Sequence, residues 1–167
     1  MKRNGKRKGS TLIEFTLVAV PMIFALISAF EIARGMWIYG TIANAVKEGV
    51  RFAIVKGSDC SAAPNACSAR ISDIAARIHN MGPGLLPSEM NVTFTSDSGS
   101  ISCRMDSCLT TTTVWPPAGD NAKGQQLQIL AKYPFRSAIV MFWPGAGRPV
   151  TVGTVNLAAS SQEVVQF

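Results

Sequence analysis

The sequence predicts an α+β fold: a long N-terminal α-helix whose first half is transmembrane and second half amphipathic, a short second helix, and a C-terminal antiparallel β-sheet of about four strands. Three observations predict it. A segment without charge, residues 15–30, runs on into a stretch whose apolar residues recur every fourth position. A second, shorter stretch of helical periodicity ends at Gly82. Beyond it the chain turns to alternating and β-branched residues separated by Pro, Gly, Asp and Asn clusters.

The chain has 167 residues, room for one compact domain plus an appendage. A hydrophobic content of 47% and a mean hydropathy of +0.22 fit a membrane-anchored protein. The formal charge of +6 is concentrated at one end, where Lys2, Arg3, Lys6, Arg7 and Lys8 precede the apolar run. The remainder of the chain is close to neutral. Clustered cations beside an apolar segment are costly to translocate, so they hold the N-terminus in the cytoplasm. No basic and aromatic surface follows them, which argues against nucleic acid as a partner.

Residues 15–30 would span only about 24 Å of helix, short of the roughly 30 Å hydrocarbon core. Starting the helix at Ser10 gives sufficient length, but then Glu14 enters the membrane. A charge at the bilayer centre costs about 2.5–3.5 kcal/mol on insertion scales, and less near the interface, so such residues tend to be functional and partnered. A cleaved secretory signal is disfavoured, because the pattern continues past the apolar run instead of changing. Ile42, Val46, Val50 and Ile54 repeat at helical spacing, with Ala43, Gly49 and Ala53 beside them and Lys47, Glu48 and Arg51 on other faces. Gly57 is the predicted stop. Pro21 removes a backbone donor inside the apolar half and could kink it. Gly35, Gly40 and Gly49 each weaken a helix by up to about 1 kcal/mol relative to Ala, for which close helix packing is one reason and chance the other.

The residues KGSTLIEF combine a basic leader, Gly9, four residues, Glu14 and the aromatic Phe15 at the head of an apolar helix. They resemble a type IV prepilin processing site. The resemblance implies that a membrane prepilin peptidase cuts between Gly9 and Ser10, which makes Glu14 the fifth residue of the mature chain. The longer stretch from residue 9 to 56 is similar to the N-terminal region of TadE-like proteins, minor pseudopilins of the tight-adherence (Tad, or Flp-type) pilus system. Glu14, Phe15, Pro21, Glu31, Arg34, Ala45, Glu48, Gly49, Arg51 and Ala53 are the matching positions. Major Flp pilins have Tyr after the Glu and little beyond the helix. Phe15 and the roughly 110 further residues therefore fit a minor pseudopilin better.

Under this resemblance Glu14 and Phe15 serve assembly. Cleavage creates an α-amino group at Ser10 with an unperturbed pKa near 8. It would lie only about 6 Å along the axis from Glu14. A neighbouring subunit shifted by one turn could pair its amine with this carboxylate, fixing one register in low dielectric.

The expected organisation is a basic leader at 1–9, a long helix at 10–57 with its membrane segment at about 10–31, and a domain at 58–167 outside the cytoplasm. Four cysteines allow three pairings, and the two local ones, Cys60 with Cys67 and Cys103 with Cys108, are favoured in an oxidising compartment. Their spacings fit structural zinc poorly, so no metal is expected. In that domain Ile71, Ile74, Ala75, Ile78 and Met81 define the apolar face of the second helix. The predicted strands are MNVTFT, LTTTTVW, QLQILAKYPF, with Leu127, Ile129 and Ala131 on one face, and VTVGTVNLAAS. The sheet is expected to cover the amphipathic half of the long helix. The segment SAIVMFWPGAGRP is read as packing in the domain core, with the membrane or a partner as alternatives.

Nothing in the sequence carries a catalytic motif. His79 is the only histidine and fits a surface or capping position. Asp97, Asp106 and Asp120 lie in Ser- and Gly-rich loops as turn formers, and the Asn91 acceptor sequence carries little weight. The reading is thus a non-enzymatic minor pseudopilin with no cofactor and no small-molecule substrate. The resemblance implies prepilin peptidase, other pilins and pseudopilins, and inner-membrane pilus assembly proteins as partners. It also implies a single-pass inner-membrane location, with adhesion and biofilm formation as downstream roles. The alternatives are a pseudopilin of another type IV filament or type II secretion system, and a membrane-anchored periplasmic enzyme.

Overall fold

A computed structural model describes residues 8–58, 67–137 and 154–166. The segment SAIVMFWPGAGRP falls, apart from Ser137, outside the described residues. Helix α1 spans Lys8–Ile54, α2 Ile71–Met81 and α3 Met105–Cys108; the strands are β1 Asn91–Ser96, β2 Gly99–Arg104, β3 Gln126–Phe135 and β4 Val155–Val164. The architecture is α+β with one four-stranded sheet in the order β2-β1-β3-β4. Every neighbouring pair is antiparallel. The described residues fall into two compact units, 8–36 with Ser137, and 37–58 with 67–136 and 154–166.

In the first unit the described residues belong mostly to α1. An 18-residue window reaches a hydropathy of 2.2 with none of it buried, so this helix is long and apolar enough to cross a membrane. Pro21 lies inside the helix. The Thr16 hydroxyl donates to the Ile13 carbonyl at 3.0 Å, giving a polar group in this apolar stretch an internal partner.

In the second unit α1 becomes a core element. Ile42, Ala45, Val46, Gly49, Val50 and Ala53 are buried along one stripe, while Lys47 and Arg51 are exposed, as the period of 3.6 requires. Gly49 marks the closest approach to α2: a Cβ there would lie 2.6 Å from Ile78 Cγ1 and 2.9 Å from Ile78 Cδ1. Close packing thus explains Gly49, whereas a Cβ at Gly40 would meet nothing within 4 Å. The helix ends at Ile54, ahead of Gly57.

Helix α2 buries Ile71, Ile74, Ala75 and Ile78, as expected. Met81, assigned to the same face, is exposed, because it sits in the last turn where the chain leaves the core. The α2 residues share one apolar core with Val46 and Val50 of α1 and with Val92, Phe94, Leu127 and Ile129 of the sheet. The sheet's other face, carrying Thr93, Thr95, Ser102 and Gln128, is polar; Thr93 and Ser102 hydroxyls meet across strands at 2.8 Å.

Two strand expectations change. LTTTTVW is not a sheet strand. Its chain runs past the start of α2, where Ile71 and Ser72 donate backbone N–H groups to the Thr113 and Thr111 carbonyls at 2.9 and 3.0 Å, and Val114 bridges Arg70. A helix start leaves its first N–H groups without intrahelical partners, and this extended segment satisfies two of them. The place of the fourth strand is taken by β2, which pairs with β1 from Asn91↔Arg104 to Ser96↔Gly99 across an Asp97–Ser98 turn. QLQILAKYPF forms β3 as predicted, with Leu127, Ile129 and Ala131 buried, and pairs along its whole length with β4.

Candidate assembly site

Gly9 and Ser10 lie inside the first turn of α1 as the chain folds here, and residues 1–7 are outside the described region. Glu14 is exposed on the helix one turn further on. Phe15 is 71% exposed, among exposed Leu12, Ile13, Leu17, Val18 and Met22. The structure therefore places a carboxylate on a mostly apolar helix surface that also carries the Thr11 and Thr16 hydroxyls. In lipid a helix surface gains nothing from hydrophobic burial against another helix, so packing and polar groups govern helix association there.

At the other end of the apolar run Glu31 is only 6% exposed, and its carboxylate lies 3.6 Å from the Arg34 guanidinium. The i,i+3 spacing was the available sequence signal for this pair. Burial of a carboxylate is tolerated when a cation accompanies it.

Residues 9–51 match the model of the TadE-like protein family. This segment is TadE-like. The match opens at Gly9 and closes on the buried stripe of α1, so it takes in Glu14, Phe15, Pro21, Glu31, Arg34 and Gly49. The likeness extends over this segment alone, about a quarter of the chain. The single apolar helix of the TadE-like segment is consistent with a single-pass membrane protein. No curated protein and no solved structure matches the chain.

The domain downstream of the TadE-like segment is fastened by polar and covalent contacts. Cys103 and Cys108 form a disulfide with a Cα separation of 5.6 Å, tying the end of β2 to α3. Cys67 is also disulfide-bonded, and Cys60 lies outside the described residues. Asp106 receives both bonds of Arg104 Nε at 2.8 and 2.9 Å, and this hydrogen bond from Arg104 holds its carboxyl below the usual range. Asp120 is buried and pins the β1–β2 turn by accepting the Ser98 backbone N–H at 2.9 Å and the Ser98 hydroxyl. Hydrogen bonds from the Ser96 hydroxyl, then from Ser98, hold the Asp120 carboxyl below its ordinary value. Both aspartates are thus structural fasteners, in keeping with a turn-forming role.

Beside that turn lies a cleft of about 200 Å³ lined by Ser96, Ser98, Gly99, Ser100, Ile101, Trp115 and Pro117. Trp115 is buried and packs edge-on to Phe94 at 5.3 Å. Its indole N–H has no hydrogen-bond partner among the described residues. A space of this size suits ordered water better than an organic ligand. His79 is exposed in the last turn of α2.

Proposed function

We propose that the chain is a minor pseudopilin that contributes to assembly of a Tad (Flp-type) pilus and supports adhesion and biofilm formation through that fibre. In this reading prepilin peptidase cuts between Gly9 and Ser10. The N-terminus starts in the cytoplasm, α1 crosses the inner membrane once, and the remainder lies in the periplasm. The role is non-catalytic. The observation that carries the reading is a TadE-like match that opens at Gly9 and lies on a helix exposing its apolar side chains for much of its first half.

The chemistry of assembly follows from that helix. Cutting after Gly9 leaves a Ser10 ammonium, mostly protonated at neutral pH. A neighbouring subunit displaced by one helical turn brings this cation against Glu14, and low dielectric makes the pairing selective, because a misregistered subunit leaves a charge buried alone. Phe15 and the surrounding apolar side chains supply packing, and Glu14 supplies register. Other pilins, pseudopilins and inner-membrane assembly proteins are the partners this surface would meet.

Mass spectrometry of the N-terminus, on protein recovered from membranes containing prepilin peptidase, tests the reading. Ser10 as the first residue is the expected result. An intact leader under those conditions overturns it.

A further inference from the structure

The sheet of the second unit ends in two open edges. In the order β2-β1-β3-β4, β2 and β4 have one neighbour each. Among the described residues, no backbone-to-backbone hydrogen bond of 99–104 or 155–164 lies outside the pairings with β1 and β3. Such an edge offers a row of N–H and C=O groups that another extended backbone matches residue for residue. Proteins commonly blunt their edges with Pro, Lys or bulges. Neither strand here contains Pro or Lys, and neither pairing skips a residue. Their single charges, Arg104 and Glu163, stand at or next to a strand end.

The two edges also match each other. Three antiparallel pairings in a row make β4 run opposite to β2. A second copy displaced along the sheet thus lays its β4 antiparallel against β2, continuing the alternation in the more stable of the two pairing modes. A two-fold contact of β4 with β4 would leave both β2 edges open. The side chains agree with the head-to-tail arrangement. Ile101 shares the core side with Phe94 yet is 37% exposed, so the core layer stops short of this edge. It borders the cleft that Gly99, Ser100 and Trp115 also line, and no charged side chain lines that cleft. An uncharged strand with small side chains suits it. Residues 155–162 carry no charge, and Ala158, Ala159, Ser160 and Ser161 lie in the middle of β4. Aligning like faces and pairing all of β2 within β4 leaves two registers, with Ile101 opposite Ala159 or opposite Ser161. The second brings Glu163 against Gly99 at the uncharged cleft, whereas the first leaves Glu163 beyond the pairing.

We propose that the β2 edge receives β4 of a second copy of this chain, head to tail, with Ile101 opposite Ala159 and Ser100 opposite Ser160 of that copy. Such a contact is heterologous: it leaves one free β2 and one free β4 at its ends and can add further copies. It uses the sheet of the second unit alone, so it stands or falls apart from the membrane and pilus readings.

Among the described residues no cysteine is free, so a short bis-maleimide reads introduced thiols. Ser100→Cys and Ser160→Cys are made separately in the full chain with different affinity tags, mixed in detergent with micelles in excess over protein, and cross-linked. The expected result is a covalent product carrying both tags, with little of either like-tagged product. A product joining mainly two Ser160→Cys chains reveals a two-fold β4 contact and overturns the proposal, as does one joining mainly two Ser100→Cys chains. The three products in statistical proportion report shared micelles and overturn it, and so does the absence of any product. Adding Ile101→Lys to the Ser100→Cys chain sets a charge on the core side of the edge and is expected to abolish the mixed product. Persistence of that product, with an unchanged circular dichroism spectrum, puts the contact elsewhere than β2 and overturns the proposal. If Ile101→Lys does not fold, the cysteine pair with Ile101 intact decides by itself.

Discussion

Gly49 of α1 and Ile78 of α2 approach so closely that a single methyl group cannot be added between them: its carbon would lie 2.6 Å from Ile78 Cγ1. Gly49→Ala should therefore destabilise the fold by about 1–3 kcal/mol despite the better helix propensity of Ala, since overpacking outweighs a gain of up to about 1 kcal/mol. Gly40→Ala, where a Cβ meets nothing within 4 Å, should be neutral to stabilising by roughly 0.5–1 kcal/mol. Chemical denaturation of the two variants gives opposite signs if the close contact is the cause.

Opening the Cys103–Cys108 bridge should cost about 2 kcal/mol, as expected for a cross-link that closes so short a loop. The double variant Cys103→Ala/Cys108→Ala would show this as a lowered denaturation midpoint. A loss well above this figure would mean that the buried Cys108 site cannot repack.

Acid should weaken the β1–β2 turn through Asp120. Its folded-state carboxyl titrates below its ordinary value because the Ser96 and Ser98 hydrogen bonds favour the carboxylate. The unfolded chain then binds the proton more readily than the folded one, so the contribution is complete above about pH 5. It is lost as pH falls from about 4 through the folded-state value. Asp120→Asn should flatten the stability–pH curve in that interval and lower stability near neutrality. Equal acid sensitivity in variant and parent would assign the effect to other carboxylates.

If the proposed function holds, Glu14→Ala should leave cleavage after Gly9 intact while reducing incorporation or pilus output, because in that reading Glu14 sets register and lies outside the cleaved bond. Unchanged piliation would remove Glu14 from assembly. Immunoblotting for the processed chain and electron microscopy of fibres read the two effects separately.

Helical periodicity makes most of α1 and α2 legible in the sequence, since burial of one stripe is a local pattern: Ile42, Val46 and Val50, and Ile71, Ile74 and Ile78, are all buried. Alternation makes β3 legible in the same way. The hairpin partner β2 is hard to see because its residues are small and mostly polar, although Asp97, Ser98 and Gly99 followed by the alternating Ser100, Ile101, Ser102 and Cys103 carry the turn signal. LTTTTVW misleads because β-branched residues favour extended backbone wherever it lies, and what Thr111 and Thr113 bond is decided by tertiary position. At the candidate site, Glu14 and Phe15 are visible through their place beside a leader-like sequence. The Glu31–Arg34 pair needs the fold to show that its carboxylate is buried.

The same Thr111 and Thr113 carbonyls bear on the timing of folding. Helix α2 has 11 residues, a length at which an isolated helix is marginal in water. Two of its leading N–H groups wait for acceptors far downstream, and β3 waits longer still for β4. The sheet is therefore complete only once residues 155–164 are available to pair with β3, and pairings of such long sequence separation favour slow folding.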